Sequence, residues 1–196
     1  MAWAPDYCTS PELKAFLRVN DAVDDAQIAV AVSAASRAID KYTGRQFGKV
    51  AALENREYGT AYDRHQGVYT VAVDDLQDVT GLVVTAGSTV LTAATPTAPG
   101  YKLYPVNALP KGRPYEWIAV PNPDLLTITA LWGWTAVPAS VKQATLLQAS
   151  RFMARRESPY GVAGSPTDGS EMRLLARVDP DVAVSLDPFR RDWWAA

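Results

Sequence analysis

Apolar residues recur every three or four positions in two stretches near the start of the chain, the spacing of an amphipathic helix. The longer stretch places Ile28, Val32, Ala35, Ile39 and Tyr42 on one face. Asp24 stands at its predicted N-cap, and Gly44 is placed to end it. The pattern predicts a helix over residues 24–44.

A shorter helix is predicted before it. Thr9 and Glu12 fit a capping box, and Pro11 is tolerated in a first turn. This helix should end near Val19, so the first 47 residues are predicted to form a helical hairpin. Alanines on the face of the longer helix would let a third helix approach closely, and residues 140–156 are the best candidate.

Helical periodicity disappears between about Asn55 and Trp134, where Val, Thr, Tyr and Trp are punctuated by Gly and Pro. Strands are predicted at residues 68–73, 79–85, 90–91, 101–104, 116–120 and 125–132. The last of these alternates, with Leu126, Ile128, Ala130 and Trp132 on one face and threonines on the other. Such alternation is typical of an antiparallel sheet with one solvated side. Residues 93–100, with two prolines, are predicted to be an exposed loop.

Pro138 marks the return to helix. Val141, Ala144, Leu147 and Phe152 give residues 140–156 an apolar face, and arginines stand near its C-terminal end. Pro159 and Gly161 are predicted to end this helix, a small polar loop to span 161–170, and a last short helix to span 179–186.

These patterns predict the α+β class. A helical core is expected from the N- and C-terminal segments, 1–49 and 137–196, with a strand-rich antiparallel insertion, 50–136, between them.

Composition narrows the classes of function. The 196 residues are 48% apolar and 20% charged, which is typical of a folded domain. A net charge of −2 disfavours sequence-independent binding of nucleic acid. The single cysteine, Cys8, cannot form an intrachain disulfide and is predicted to be a small apolar filler. No apolar run could span a bilayer and the first residues lack signal-peptide features, so synthesis in the cytoplasm is expected.

Candidate chemistry is sparse. His65 is the single histidine and lies in a predicted loop, so neither a zinc site nor a catalytic triad can be assembled. The acidic pairs Asp24-Asp25 and Asp74-Asp75 are predicted at a helix start and at a turn, where they would act as caps. No phosphate-binding glycine motif is present. We therefore predict a protein that is not an enzyme, with no catalytic residue, metal site or cofactor.

The C-terminal arm, Asp187–Ala196, combines aromatic and basic side chains: Phe189, Arg190, Arg191, Trp193 and Trp194. Aromatic residues and arginine dominate the anchors of protein interfaces. The arm could dock on a partner or fold back on its own domain, and its composition favours docking.

Four segments in order resemble the head-to-tail connector (adaptor) family of tailed bacteriophages. They are PELKAFLRVND (Pro11–Asp21), SRAIDKYTGRQF (Ser36–Phe47), LWGWTAVPASVKQATLLQASRFMARRESPYGVAG (Leu131–Gly164) and RLLARVDPDVAVSLDPFRR (Arg173–Arg191). They cover both helical ends, whereas the strand-rich middle contributes little. The extension from Asp192 to Ala196 departs from the family pattern.

The resemblance implies a structural virion protein at the head–tail interface. It would form a ring, of twelve copies as in the family, beneath the portal protein and extend the DNA channel towards a stopper or tail protein. DNA would pass through without specific binding, and no membrane would be involved. The helical core would make the ring, with Arg155, Arg156 and Tyr160 at the contact.

Two hypotheses follow within this interpretation. The arm Asp187–Ala196 would dock on the portal, with Trp193 and Trp194 as anchors. The loop Ala93–Gly100 would face the next tail component or the lumen.

Two alternatives stay open. A stopper or tail-terminator ring is expected to be more strand-dominated than this chain, whose two ends are helical. A small enzyme or a non-virion binding module would use the sheet as its platform.

Overall fold

The computed structural model describes residues 4–121, 125–157, 162–163, 172–173 and 180–191, with the backbone alone for 156–157, 162–163 and 172–173. Its α-helices are α1 (Ser10–Leu17), α2 (Asp25–Thr43), α3 (Ala139–Glu157) and α4 (Pro180–Leu186). Its strands are β1 (Glu54–Tyr58), β2 (Ala61–Asp63), β3 (Val68–Leu76), β4 (Asp78–Ala86), β5 (Thr89–Leu91), β6 (Lys102–Tyr104), β7 (Tyr115–Val120), β8 (Leu126–Leu131), β9 (Val162–Ala163) and β10 (Met172–Arg173). Short 3₁₀ helices span Leu109–Lys111 and Asp187–Phe189.

The chain divides into two compact units. The helical unit comprises Met1–Gln46 and Val137–Asp192, and the β unit comprises Phe47–Ala136. Helices and antiparallel sheets together place the fold in the predicted α+β class.

Both hairpin helices begin where the sequence predicts; α2 also ends as predicted, whereas α1 ends at Leu17, two residues before the predicted end near Val19. The Thr9 side chain accepts a hydrogen bond from the Glu12 N–H at 3.4 Å, and the Glu12 carboxylate accepts one from the Thr9 N–H at 2.8 Å. The predicted capping box of α1 is therefore confirmed. Asp24 takes the N-cap position of α2 without a side-chain capping hydrogen bond, and Gly44 ends the helix in the left-handed conformation at φ 68°.

Helices α1, α2 and α3 share one apolar cluster. Leu13 of α1, Ile28, Val32 and Ala35 of α2 and Ala149 of α3 are all buried in it. The predicted stripe of α2 thus faces α1 and α3, and α2 packs against α3. The buried alanines allow this close approach.

The buried face of α3 differs from its predicted one, because Thr145 and Gln148 are buried beside Val141 and Ala144. The Thr145 hydroxyl donates a hydrogen bond to the Val141 carbonyl at 2.8 Å. Bonding within its own helix removes most of the cost of burying this hydroxyl, so apolar spacing alone does not reveal the position.

Two four-stranded antiparallel sheets build the β unit, in the orders β1-β8-β4-β5 and β2-β3-β7-β6. Strand β8 buries Leu126, Ile128 and Ala130, and its threonines are half-buried, as the alternation predicts. Strands β1 and β2 were not predicted. Strand β1 reads ENREY and is largely exposed, so its hydrophobic pattern carries no strand signal.

The first and last segments of the β unit lie side by side. The Gly48 carbonyl accepts a hydrogen bond from the Trp134 N–H at 2.7 Å, and the Val50 N–H donates to the Trp132 carbonyl at 2.9 Å. The Phe47 and Trp134 rings pack with centroids 5.2 Å apart. These contacts join the first residues of the β unit, 47–50, to its last residues, 132–134.

The acidic pair Asp74-Asp75 corrects one prediction. It lies within β3 rather than at a turn. Strand β3 continues through both residues because each carboxylate accepts hydrogen bonds from aromatic or basic side chains that are distant in the sequence.

Candidate assembly surfaces

The described part of the C-terminal arm lies against the end of α2. Helix α4 buries Val182 and Leu186, and the 3₁₀ turn that follows brings Asp187 to Tyr42. The Tyr42 hydroxyl donates a hydrogen bond to the Asp187 carboxylate at 2.5 Å. This hydrogen bond raises the pKa of the Tyr42 phenol, with smaller contributions from burial and the carboxylate charge.

The arginines of the arm follow the same path. The guanidinium of Arg190 lies 5.5 Å from the centroid of the Tyr42 ring, a cation–π distance. The Arg191 N–H donates a hydrogen bond to the Thr43 carbonyl at 2.8 Å. Residues 187–191 therefore fold back onto α2, while Trp193 and Trp194 lie outside the described residues.

The residues predicted for the ring contact are described only in part. Arg155 lies in the last turns of α3 with its side chain half-buried. The side chain of Arg156 and all of Tyr160 fall outside the described residues. The structure therefore describes the side chain of only one of these three residues, and the ring contact stays a prediction.

An apolar groove between α2 and α3 was not predicted. This helix groove, of about 430 Å³, is lined by Ala26, Gln27, Val30, Ala31, Ala34, Phe152 and Met153. Ala26, Val30 and Ala34 recur every four residues and form a second apolar row beside the buried stripe of α2. That spacing is the signal that sequence reasoning missed, because the buried stripe already accounts for an amphipathic helix.

Three polar residues of the β unit, Asp74, Arg56 and Tyr58, form a hydrogen-bonded network. Asp74 accepts hydrogen bonds from the Arg56 guanidinium and the Tyr58 hydroxyl, both at 2.7 Å. Burial raises the pKa of the Tyr58 phenol, and the hydrogen bond to Asp74 adds to that shift. Arg56 also lies over the Trp132 ring, 5.0 Å from its centroid. The network joins β1 to β3, and its polar groups bond to one another. This arrangement is typical of a structural role rather than a catalytic one.

Cys8 and His65 are the remaining side chains that the sequence raised as candidates for chemistry. Cys8 is buried in the apolar cluster, and burial raises the pKa of its thiol to about 11, so it is held as an unreactive thiol, as predicted. His65 lies in an exposed turn, where its backbone N–H donates a hydrogen bond to the Asp63 carboxylate at 2.8 Å. Within residues 4–121, 125–155 and 180–191, no three His, Cys, Asp or Glu side chains are grouped as metal ligands.

None of the described helices is both long and apolar enough to cross a membrane.

Comparison with known proteins gives a likeness of fold but none of sequence family. No protein-family model matches the chain, and no curated protein matches it. The fold is similar to that of a chain in the neck of an empty GTA (gene transfer agent) particle computed with C6 symmetry, with a TM-score of 0.52 and 18% sequence identity. The likeness covers 97% of this chain and 93% of the other. Both units therefore share their fold with a component of a phage-like particle's neck.

Proposed function

We propose that this chain is a structural virion protein, a head-to-tail adaptor that forms a ring beneath the portal. The observation that carries the proposal is the fold likeness to a neck component over nearly the whole chain. The four sequence segments that resemble the adaptor family point to the same level of the particle and were identified independently of that likeness.

The helical unit would carry the ring, and the β unit would be the insertion between its two sequence segments. A ring requires contacts that close around an axis, and exposed apolar surface on packed helices supplies them. The six-fold symmetry belongs to the other particle, and it is compatible with six or twelve copies in a ring. Twelve copies remain our expectation from the family resemblance.

The channel wall would guide DNA without holding it. The net charge of −2 gives the chain no general attraction for phosphates, so DNA could slide past during packaging and ejection. This charge balance fits a wall that lines a DNA channel.

The test removes the gene from the host that makes the particle. An adaptor is required after DNA packaging, so the expected result is DNA-filled heads without tails. Purified protein added to those heads should restore tail joining. Normal tailed particles from the deletion strain would contradict the proposal.

We also propose that the C-terminal arm docks on the portal through Trp193 and Trp194. Truncation after Arg191 keeps the contacts of residues 187–191 with α2, so the shortened chain should still fold. It should no longer bind heads, and Trp193→Ala with Trp194→Ala should do the same in the full chain. Unchanged head binding by both variants would exclude this role.

The loop Ala93–Gly100 would face the next tail component or the lumen. Its residues are mostly exposed, and they line a groove of about 450 Å³ at the edge of the β6 sheet. Cross-links from this loop to the portal alone would contradict that orientation.

A stopper ring is the second candidate. Eight of the described strands lie in the β unit, two more than the sequence predicts, and this strand content favours the alternative. The two functions differ in order of assembly, since a stopper would join only heads that already carry an adaptor.

A further inference from the structure

A pocket of about 380 Å³ lies on one face of the β2-β3-β7-β6 sheet. Its lining residues are Asp63, Gln66, Thr70, Tyr104, Pro105 and Trp117. Tyr104 of β6 stands directly opposite Trp117 of β7. The next residue of β7, Ile118, lies on the other face and is fully buried, so the pocket is on the face away from the core of the β unit.

The side chains of this sheet pocket are accessible and keep their hydrogen-bonding capacity. Trp117 has 38% of its surface exposed, a large fraction for an indole that could pack in the core. Among the described residues, no side-chain hydrogen bond is formed by Gln66, Thr70, Tyr104 or Trp117. Aromatic walls with a few converging polar groups, in a volume of about 300–1,000 Å³, are typical of small-molecule sites.

The Asp63 carboxylate is held in a fixed orientation beside these side chains. Its Oδ1 accepts hydrogen bonds from the backbone N–H groups of His65 at 2.8 Å and Gln66 at 3.3 Å. Its Oδ2 accepts no hydrogen bond from the described residues. The sheet pocket therefore offers a charged acceptor, the donor of an indole, and hydroxyl and amide groups that both donate and accept.

We propose that the sheet pocket binds a neutral carbohydrate. One side of a pyranose ring is a surface of C–H groups that packs on an aromatic ring, and its edge carries hydroxyls that both donate and accept. The Tyr104 and Trp117 rings match the first feature, and the free polar groups with Asp63 match the second. The inference is independent of the proposed ring function, which makes no use of this pocket.

Other classes of ligand match the pocket less well. A proline-rich peptide is the usual ligand of a groove between Tyr and Trp, but proline has no N–H to donate to Asp63. A nucleotide would bring its phosphates close to the same carboxylate. Sugar hydroxyls can donate to the carboxylate without adding charge.

The sheet pocket adjoins the groove beside the loop Ala93–Gly100. Gln66 and Tyr104 line both, so a ligand of two or more sugar rings has room to extend from one into the other. Pro121, which precedes residues 122–124, lines the groove and not the sheet pocket. We therefore expect disaccharides to bind more tightly than single sugars.

Saturation-transfer-difference NMR on the full chain tests the proposal, since it detects sugars bound to a monomer or to a ring. The probes are the methyl glycosides of glucose, galactose, mannose and N-acetylglucosamine, with maltose, lactose and chitobiose. At least one should receive saturation, chiefly on the protons of its C–H face. Trp117→Ala should weaken its binding about tenfold or more, because the stacking surface is lost.

Two further variants make the comparison specific. Asp63→Asn keeps the turn acceptor and removes the charged one, and it should also weaken binding about tenfold. Tyr62→Ala is the matched control, because Tyr62 is an exposed aromatic residue of the same sheet that packs on Tyr69 and does not line the pocket. It should change binding less than about twofold. If Trp117→Ala fails to fold, Asp63→Asn against Tyr62→Ala decides.

Three results would overturn the proposal. The first is no saturation transfer to any of the sugars, which is also the result expected if a segment of this chain fills the pocket. The second is transfer that Trp117→Ala and Asp63→Asn leave unchanged. The third is Trp117-dependent binding of decaproline or of a thymidine oligonucleotide in place of the sugars, which would assign the pocket to a peptide or to single-stranded nucleic acid.

Discussion

Asp74 and Asp75 are adjacent on β3, and the pleat of the strand sends their carboxylates to opposite sides. Asp74 is partly exposed and accepts hydrogen bonds from Arg56 and Tyr58. Asp75 is buried and accepts a hydrogen bond from the Trp134 indole N–H at 2.7 Å. A pair of aspartates is typical of a turn, and only the donors distant in the sequence explain why the strand continues through them.

Asp75→Ala should lower the free energy of unfolding by about 1–3 kcal/mol, because it leaves the buried indole N–H of Trp134 without this acceptor. Asp75→Asn keeps a carbonyl acceptor and should cost less. Urea denaturation measures both. Glu57→Ala, at an exposed position of β1, is the control and should stay within about 0.5 kcal/mol of the parent. A loss for Asp75→Ala no larger than the control's would contradict a structural role.

Asp78 should make the β unit sensitive to acid. Its hydrogen bond with the Lys49 ammonium, 2.7 Å long, is the main cause that lowers the carboxyl pKa from 3.8 to about 2. Because the pKa of Asp78 is lower in the folded state, its carboxylate stabilises the fold at pH values above its unfolded-state pKa. That contribution is lost as the pH falls through the folded-state pKa.

Asp78→Asn should therefore be less stable than the parent at neutral pH, and the difference should shrink as pH falls from 3.8 towards 2. Denaturant unfolding at a series of pH values tests this, with Lys49→Gln as the matched removal of the partner. A difference between parent and Asp78→Asn that does not change with pH would contradict the assignment.

At the scale of elements, the sequence predicted the features that depend on neighbouring residues in the chain. The capping box of α1, the stripe and Gly44 end of α2, and the alternation of β8 were each predicted because the sequence itself carries their spacing. Strand β1 was missed because pairing with β8, far along the chain, creates it from polar residues. The helix groove was missed because it needs α3 as its second wall.

Gly133 shows how tightly the two ends of the β unit meet. Its φ is +108°, and a Cβ at this position would lie 1.9 Å from the Gly48 carbonyl oxygen. A side chain there meets both an unfavourable backbone conformation and a backbone atom that cannot move aside.

Gly133→Ala should cost more than about 3 kcal/mol of unfolding free energy, a size reserved for a few specific mechanisms. Gly67→Ala is the matched control, since Gly67 also has a positive φ but has open space around it. It should cost about 1–2 kcal/mol, the conformational term alone. Thermal or urea unfolding compares the two, and similar losses would mean that the clash with Gly48 is relieved at little cost.

At the scale of the whole molecule, no catalytic constellation emerges in the described residues, and the feature that calls for explanation is exposed apolar surface on the helical unit. The fold likeness to a neck component extends over both units, although the sequence resemblance was confined to the helical ends. A strand-rich segment can keep its topology while its surface residues change, because alternating burial constrains only one face. The β unit is therefore the part of the chain whose likeness is visible in the fold but not in the sequence.

Native mass spectrometry of the purified protein, alone and then mixed with a candidate portal protein from the same particle, tests the central claim most directly. The proposed function predicts a closed ring, either alone or once the portal is present. A monomer under both conditions, with no portal complex, would contradict the adaptor function.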